Sequence, residues 1–176
     1  MKKTGLILST LIVLALSAFT VLESINWKLK DDTYTVSFKG GKVDGTMKGL
    51  KATIMFDEAD LSKSKITASM DVKTINTGNG MMNKHAKSED ALNADKYPLI
   101  TFVSESIVKK APGYEAKGKL TLKDVTKEIT MPFIFEAKGT EGVFKGNFSI
   151  VPKDYNITRG GTPDKLDLEI IIPVVK

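Results

Sequence analysis

The side chains that could take part in chemistry are few in this chain, and His85 is its only histidine. One imidazole can act as a general base, but it needs a nucleophile or substrate group beside it. No Gly-x-Ser-x-Gly turn or similar motif accompanies His85. Cysteine is absent, which excludes a thiolate nucleophile, a disulfide framework and a cysteine-ligated zinc site. His85 is therefore interpreted as a structural residue, with a hydrolase or isomerase reaction kept as a separate hypothesis.

Paired carboxylates are the other candidates for acid–base chemistry or for binding a metal ion. They occur as Asp31-Asp32, Asp57-Glu58 and Glu89-Asp90, at predicted turns or in the irregular segment around His85. Solvated acids are ordinary at such places, and the chain has neither calcium-loop spacing nor a glycine-rich phosphate loop. The sequence predicts a non-enzymatic protein with no catalytic residue, no metal site and no cofactor.

Alternation of apolar and polar residues dominates the chain beyond its N-terminal segment. In residues 65–73, Ile66, Ala68, Met70 and Val72 alternate with polar side chains. Similar segments recur between Gly, Pro and Asp-Gly turns, as is typical of antiparallel strands with one buried face. About eight such strands joined by hairpins predict an all-β fold, either a closed barrel or a sandwich.

One segment, between Gly78 and Pro98, loses the alternation. Met82, Ala86 and Leu92 can share one side of a helix there, and the flanking glycine and proline are plausible bounds. We predict a short helical segment around residues 80–94 that caps one end of the barrel.

Residues 1–20 are typical of a secretory signal peptide, which leaves one domain over residues 21–176. Lys2 and Lys3 precede an uncharged run from Thr4 to Leu22, and small residues follow its most apolar part. The run also approaches the roughly 20 residues that a membrane-spanning helix needs, so a retained anchor stays open. Both interpretations place the domain outside the cytoplasm, and export through the signal peptide predicts a periplasmic or secreted protein.

The charged residues give a formal net charge of +5, but the lysines are scattered and Arg159 is the only arginine. A nucleic-acid-binding protein would normally carry a basic stripe with several arginines. The pattern therefore predicts no nucleic-acid partner and a solvated surface, with membrane contact only transient. The oligomeric state is left open, a homodimer included.

Two motifs resemble those of the YceI-like family. Residues 118–127 read GKLTLKDVTK, similar to the family's hairpin of Gly-x-Leu-Thr followed by Val-Thr-Lys. Residues 97–104 read YPLITFVS, similar to the family's strand that is entered through Tyr-Pro. His85 lies where the family has a histidine in its helical segment, and the resemblance extends from Ile25 to Lys176. It departs at residues 83–86 and 90–92, which would form the cap and the cavity mouth.

The resemblance implies an exported, lipocalin-like antiparallel barrel of eight strands that holds a polyisoprenoid or similar long amphiphilic lipid. Pattern alone leaves open the alternative, a ligand-free structural or stress-related interaction module with a filled barrel. For a lipid-binding barrel, we expect His85, Tyr97 and Tyr155 at the cavity mouth, where they would contact a head group. We expect the apolar cavity to be lined by Val36, Phe38, Ile54, Phe56, Ile66, Ala68, Met70, Met82, Phe102, Leu120, Leu122, Phe133, Phe135 and Phe148.

The hairpin in residues 118–135 has no glycine or proline at its break, which we place at residues 124–127. We expect a continuous curved wall there, with Val125 directed inward and Lys127 outward. Pro132 lies within the second strand, and proline is confined to edges and bulges of sheets. We therefore expect the wall to be locally open near Pro132.

Overall fold

The computed structural model describes residues 25–30 and 33–176, so the predicted signal peptide and Asp31-Asp32 lie outside the described residues. Within these ranges the chain is mostly β-strand, and the strands form one antiparallel sheet. The strands are β1 (Asn26–Leu29), β2 (Thr35–Gly40), β3 (Val43–Thr46), β4 (Lys51–Met55), β5 (Lys65–Asp71), β6 (Leu99–Lys110), β7 (Gly113–Leu122), β8 (Val125–Lys138), β9 (Glu141–Ile150) and β10 (Leu166–Val175).

The sheet closes on itself because β1 pairs with both β4 and β10. Strand β2 pairs with the first half of β10, so β1 and β2 together occupy one position of the wall. Strand β3 pairs with β2, and β4 pairs with β1. Strands β3 and β4 therefore share the next position of the wall. The wall therefore has eight positions, which confirms the predicted all-β, eight-stranded antiparallel barrel.

The β7–β8 hairpin turns through only two residues, Lys123 and Asp124, with Leu122 paired to Val125. Lys123 adopts a φ of 55°, the left-handed conformation that glycine usually supplies in such turns. The predicted break at residues 124–127 is wrong, because Val125 to Lys127 already belong to β8. Val125 packs against the core, so the predicted outward direction of Lys127 is wrong, because residues two apart in a strand share a face. Lys127 lies near the end of the strand, where its Nζ reaches Asp154 Oδ2 at 3.2 Å.

Strand β8 changes neighbours in its middle, at Phe133. Residues 125–133 pair with β7, whereas pairing with β9 begins only at Phe133, opposite Gly146. Pro132 therefore lies in a stretch of β8 that has no β9 partner. This agrees with the edge that was predicted there, since a proline on an unpaired side removes no ladder hydrogen bond.

The cap begins with helix α1 (Gly80–Lys87) and continues as turns to Tyr97. The helix starts at Asn79, whose side-chain oxygen accepts hydrogen bonds from the N–H groups of Met81 and Met82 at 3.0 and 3.1 Å. The helix is thus shorter than the predicted segment. Among residues 25–30 and 33–176, no helix has the length and apolar character to cross a bilayer. The other helices are single 3₁₀ turns at Leu61–Lys63, Val72–Thr74 and Pro152–Tyr155.

The barrel end opposite the cap is filled by aromatic rings, which we call the ring cluster. Phe56 lies at its centre with 1% of its surface exposed, and its ring meets four others edge-on with centroids 5.0 to 5.6 Å apart. The Trp27 indole N–H donates to the Phe56 carbonyl at 2.9 Å, so the polar atom of the tryptophan is satisfied. The members of the cluster are Trp27, Phe56, Tyr114, Phe133, Phe135 and Phe144.

Candidate ligand cavity

The half of the barrel beneath the cap is hollow, with a cavity of about 220 Å³. Its walls are apolar, and Ser69 is the only lining residue with a polar side chain in the part of the chain that the structure describes. Leu92 reaches the cavity from the cap, and Ile157 reaches it from the segment that precedes β10. The barrel cavity is therefore an apolar chamber between the strands of the wall, with residues of the cap and of the segment before β10 at its upper end.

Small inward residues explain why this half has a void. Ala68, on β5, pairs with Ala52 of β4 and with Phe102 of β6, so at this level two neighbouring strands present only methyl groups. Ala116 and Gly146 supply two further short positions in the cavity wall. An eight-stranded barrel is just wide enough for side chains to fill it or for one small ligand. Where the inward side chains are this short, the space between opposite walls is not filled.

The floor of the cavity is the near side of the ring cluster. Phe133 and Phe144 line the cavity, and their ring centroids are 5.8 Å apart. Behind them lies Phe56, at 5.6 Å from Phe133 and 5.4 Å from Phe144. The cavity therefore ends at packed rings and does not run through the barrel.

Most of the residues expected in the lining lie in the cavity wall, and three lie elsewhere. Phe56 and Phe135 belong to the ring cluster behind the floor, and Met82 lies in the cap outside the barrel cavity. The expected residues that line the cavity are Val36, Phe38, Ile54, Ile66, Ala68, Met70, Phe102, Leu120, Leu122, Phe133 and Phe148.

Several lining residues were not singled out from the sequence. Ile170 and Ile172 follow the alternation of β10, and that pattern was sufficient to predict them as lining residues. Met47, Leu50 and Ile75 lie in or beside short segments where alternation is lost. Long-range contacts, such as the bridge that pairs Thr46 with Asn76 and the hydrogen bonds between Lys48 and Thr74, join these segments, and no local pattern predicts them.

A second cavity of about 280 Å³ lies between α1 and residues 157–163, and we call it the vestibule. It adjoins the barrel cavity, because the two share part of their walls. Its polar lining side chains are Thr77, His85, Arg159 and Thr162. The residues common to both cavities are Phe38, Ile75, Leu92, Ile157 and Leu166.

Of the three residues expected at the mouth, the structure places one in the vestibule wall. His85 is exposed and lines the vestibule. Tyr155 is only 2% exposed and lies in the hydrophobic core, where burial and, to a lesser degree, the nearby Asp154 carboxylate raise its pKa. Tyr97 lines neither cavity, and its ring lies 5.2 Å from the Lys96 ammonium group.

An ion pair crosses the vestibule rim and joins the cap to the segment before β10. Arg159 Nη1 donates to Asp90 Oδ2, and the Ser88 hydroxyl donates to the other oxygen of the same carboxylate. The Ser88 hydrogen bond, followed by the Arg159 charge, lowers the pKa of Asp90. The rim is thus held together at neutral pH by a charged hydrogen bond.

The chemical capacity of the site is apolar binding with a polar entrance. Within residues 25–30 and 33–176, no group of three or more His, Asp or Glu side chains could hold a metal ion. The imidazole of His85 lines the vestibule, outside the barrel cavity with its apolar lining. This arrangement can bury an apolar chain and leave a polar end of the same molecule in the vestibule.

Solved structures with the same fold include BcnA from Burkholderia cenocepacia. Its TM-score is 0.77 at 25% identity, covering 83% of this chain and 99% of that chain. A domain from Saccharophagus degradans, described as a polyisoprenoid binding domain implicated in plant cell wall breakdown, has a TM-score of 0.63. It is 11% identical and covers 85% of this chain and 97% of that chain, a likeness that shows the fold alone.

The sequence itself is related to a curated group of bacterial proteins. Protein YceI of Salmonella arizonae is 32% identical over 136 residues, which are 74% of this chain and 71% of that protein. The YceI-like domain family matches residues 27–174, from the Trp27 of the ring cluster to the last residues of β10. The chain therefore belongs to the YceI-like domain family.

Proposed function

We propose that the protein is a non-enzymatic binding protein that holds one apolar lipid chain, isoprenoid-like, in its barrel cavity. The observation that carries the proposal is the hollow half of the barrel, about 220 Å³ with an apolar lining. Membership of the YceI-like family and the polyisoprenoid binding domain of the same fold support it.

The size of the barrel cavity favours a single chain. An apolar cavity of about 150 Å³ can already hold benzene, so about 220 Å³ accommodates a somewhat larger apolar group. A longer chain extends into the adjoining vestibule, whose volume is about 280 Å³. Two chains side by side do not fit into a space of this size. The occupant is therefore an amphiphile with one chain, placed with its apolar end against Phe133 and Phe144.

The binding free energy comes from the chain. Each buried CH₂ contributes on the order of 0.8 kcal/mol, so about ten carbons contribute roughly 8 kcal/mol before the costs of binding. Met47 and Met70 lie in the wall, and the flexible methionine thioether adapts to apolar guests of irregular shape. The cavity thus needs no directional polar contact in order to hold its ligand.

The two other hypotheses explain less of the molecule. A ligand-free module with a filled barrel fits the ring cluster but leaves the apolar void under the cap without a purpose. A reaction through His85 would need a second reactive group in the vestibule wall, and the polar side chains there are threonines and Arg159. Lipid binding accounts for both the void and its lining.

We further propose that the protein acts outside the cytoplasm, as a periplasmic or secreted carrier. The support is the basic start and apolar run of residues 1–20. A carrier in that compartment would take up a lipid that water alone does not dissolve. Cell fractionation and N-terminal sequencing of the protein test this: an intact N-terminus in the cytoplasmic fraction would contradict it.

The test of lipid binding compares Ala68→Trp with Thr67→Trp. Residue 68 points into the barrel cavity, whereas Thr67 is its exposed neighbour on the same strand. We expect Ala68→Trp to lower the affinity for farnesol at least about 100-fold because the indole occupies the space of the chain. Thr67→Trp should bind as the wild type does, and circular dichroism should show both variants folded. Equal affinities in the two folded variants, or no binding by the wild type, would contradict the proposal.

A further inference from the structure

The vestibule has a positive end that the apolar chain does not use. Arg159, the only arginine in the chain, lines the vestibule, and its side chain is 29% exposed. The vestibule lining in the described residues includes no aspartate or glutamate. The charge that a ligand meets on leaving the barrel cavity is therefore that of a guanidinium group.

This guanidinium retains donors that are free to bind a ligand. A guanidinium carries five N–H donors in a planar fork that matches carboxylates and phosphates. Among the described residues, the Arg159 side chain bonds only to Asp90, through Nη1. Its other nitrogens, Nε and Nη2, are thus left for an acceptor inside the vestibule.

The backbone beside Arg159 leaves room for such an acceptor. Gly160 and Gly161 line the vestibule, and a Cβ atom built on either would meet nothing within 4 Å. On the opposite wall, His85 offers ring nitrogens that can donate or accept a hydrogen bond. A polar group at this position would lie between the cap and the segment before β10.

We propose that the ligand of the barrel carries an anionic head group, a carboxylate or a phosphate, that binds Arg159 in the vestibule while its chain occupies the barrel cavity. This proposal rests on the proposed function, because the chain places the head group there. The Asp90 carboxylate occupies part of the same guanidinium, so it competes with the head group. Removal of the Asp90 charge should therefore strengthen binding of the anion.

The first experiment uses pairs of ligands that share a chain and differ in head group. Dodecanoate is compared with dodecanol, and farnesyl phosphate with farnesol, by calorimetry at about pH 8, where a carboxylate is ionised. We expect the wild type to bind each anion at least about tenfold more tightly than its alcohol, since hydrogen bonds between charged groups are roughly twice as strong as neutral ones. Equal binding of anion and alcohol would overturn the head-group proposal and leave lipid binding intact. Failure of all four to bind would instead refute the proposed function.

The second experiment assigns the preference to Arg159. Arg159→Gln should abolish the preference for the anion while leaving the affinity for the alcohol within about twofold of the wild type. Lys84→Gln is the control, because Lys84 is an exposed cation of α1 that does not line the vestibule. Loss of the preference in both variants would show general surface attraction, and its survival in Arg159→Gln would exclude Arg159. Either result overturns the proposal.

Two further measurements do not depend on the Arg159→Gln protein. Asp90→Asn retains Arg159, and we expect it to bind dodecanoate about threefold or more tightly than the wild type, with dodecanol unchanged. Inorganic phosphate should displace farnesyl phosphate only weakly, because it lacks the chain. Weaker binding of dodecanoate by Asp90→Asn, or inorganic phosphate as effective as farnesyl phosphate, would contradict an amphiphile held at both ends.

Discussion

The two halves of the barrel are built on the same strands and yet differ in what fills them. At one end, the rings of Phe56, Phe135 and Phe144 pack with centroids 4.4 to 5.4 Å apart. At the other end, Ala68 and Ala116 face a void of about 220 Å³. The difference shows that the strand pattern determines the barrel, whereas the size of each inward side chain determines whether a section of it is solid or hollow.

Strand β9 shows this change within a few residues. Phe144 contributes to the ring cluster, Gly146 follows on the same face, and Phe148 lines the hollow half. The glycine also allows a close approach of β8, because a Cβ atom there would lie 3.1 Å from the Pro132 carbonyl oxygen. One short residue thus separates the packed end from the cavity.

The largest effect on stability is expected at the centre of the ring cluster. Phe56→Ala should lower the free energy of unfolding by about 3–5 kcal/mol, because Phe56 is 1% exposed and its removal leaves a cavity among packed rings. Phe148→Ala is the matched change in the hollow half, where the ring already borders a void. Phe148→Ala should lower the free energy of unfolding by less than about half as much as Phe56→Ala does. Urea denaturation measures both, and equal losses would mean that the two ends are equally packed.

The next effect concerns ligand length. Phe144→Ala removes part of the cavity floor, so we expect the preferred chain to become longer by a few carbons, each worth on the order of 0.8 kcal/mol. Affinities for a series of fatty alcohols should level off at a shorter chain in the wild type than in the variant. An unchanged length dependence would show that the rings do not set the end of the cavity.

A smaller effect is expected from the polar edge of the ring cluster. Burial, together with a hydrogen bond of 2.7 Å from its hydroxyl to Glu58, raises the pKa of Tyr114 to about 12. Since the unfolded pKa is about 10, this contribution to stability is fully present below pH 10 and is lost as the pH rises through 12. Tyr114→Phe should cost about 1 kcal/mol at neutral pH and remove the alkaline step. Ultraviolet titration of tyrosinate measures that step, and its persistence in the variant would assign it to another tyrosine.

The smallest effect is expected at the cap. The pKa of Asp90 is lowered by Ser88 and then by Arg159, so its stabilising effect is present above the unfolded pKa and is lost as the pH falls through the folded one. The wild type should therefore lose slightly more stability on acidification than Asp90→Asn does. Thermal unfolding of both proteins between about pH 6 and pH 3 measures this, and parallel curves would contradict it.

The barrel could be predicted from the sequence because alternation along long strands is a local signal. The spacing of Ile66, Ala68 and Met70 shows that they share one face of a strand, even when the neighbouring strands are unknown. The sequence also indicated the edge at Pro132, since proline restricts pairing wherever it occurs. The left-handed turn at Lys123 was missed because glycine, the residue that normally marks such turns, is absent there. Lys123 adopts the strained left-handed conformation itself.

The candidate site was harder to predict because it depends on depth along the barrel. Phe56 and Phe102 follow the same alternation, yet one lies in the ring cluster and the other lines the cavity. A period-two pattern shows on which face of the sheet a residue lies. It does not show the position of the residue along the barrel axis or its distance from the opposite wall. The vestibule residue Arg159 was missed for a similar reason, since a long-range contact between residues 157–163 and the cap brings it to the mouth.

The most direct test of a hollow and lipid-binding half is methyl NMR during a titration with farnesol, a neutral single-chain ligand. We expect the methyl signals of Met70 and Ile170, which line the cavity, to shift and saturate together at one equivalent. The methyl signals of Ile107 and Val174, which are buried in the core but do not line the cavity, should remain in place. Saturation at one equivalent with shifts confined to the hollow half would support the account. Shifts spread over the outer surface, or no shifts at all, would contradict it.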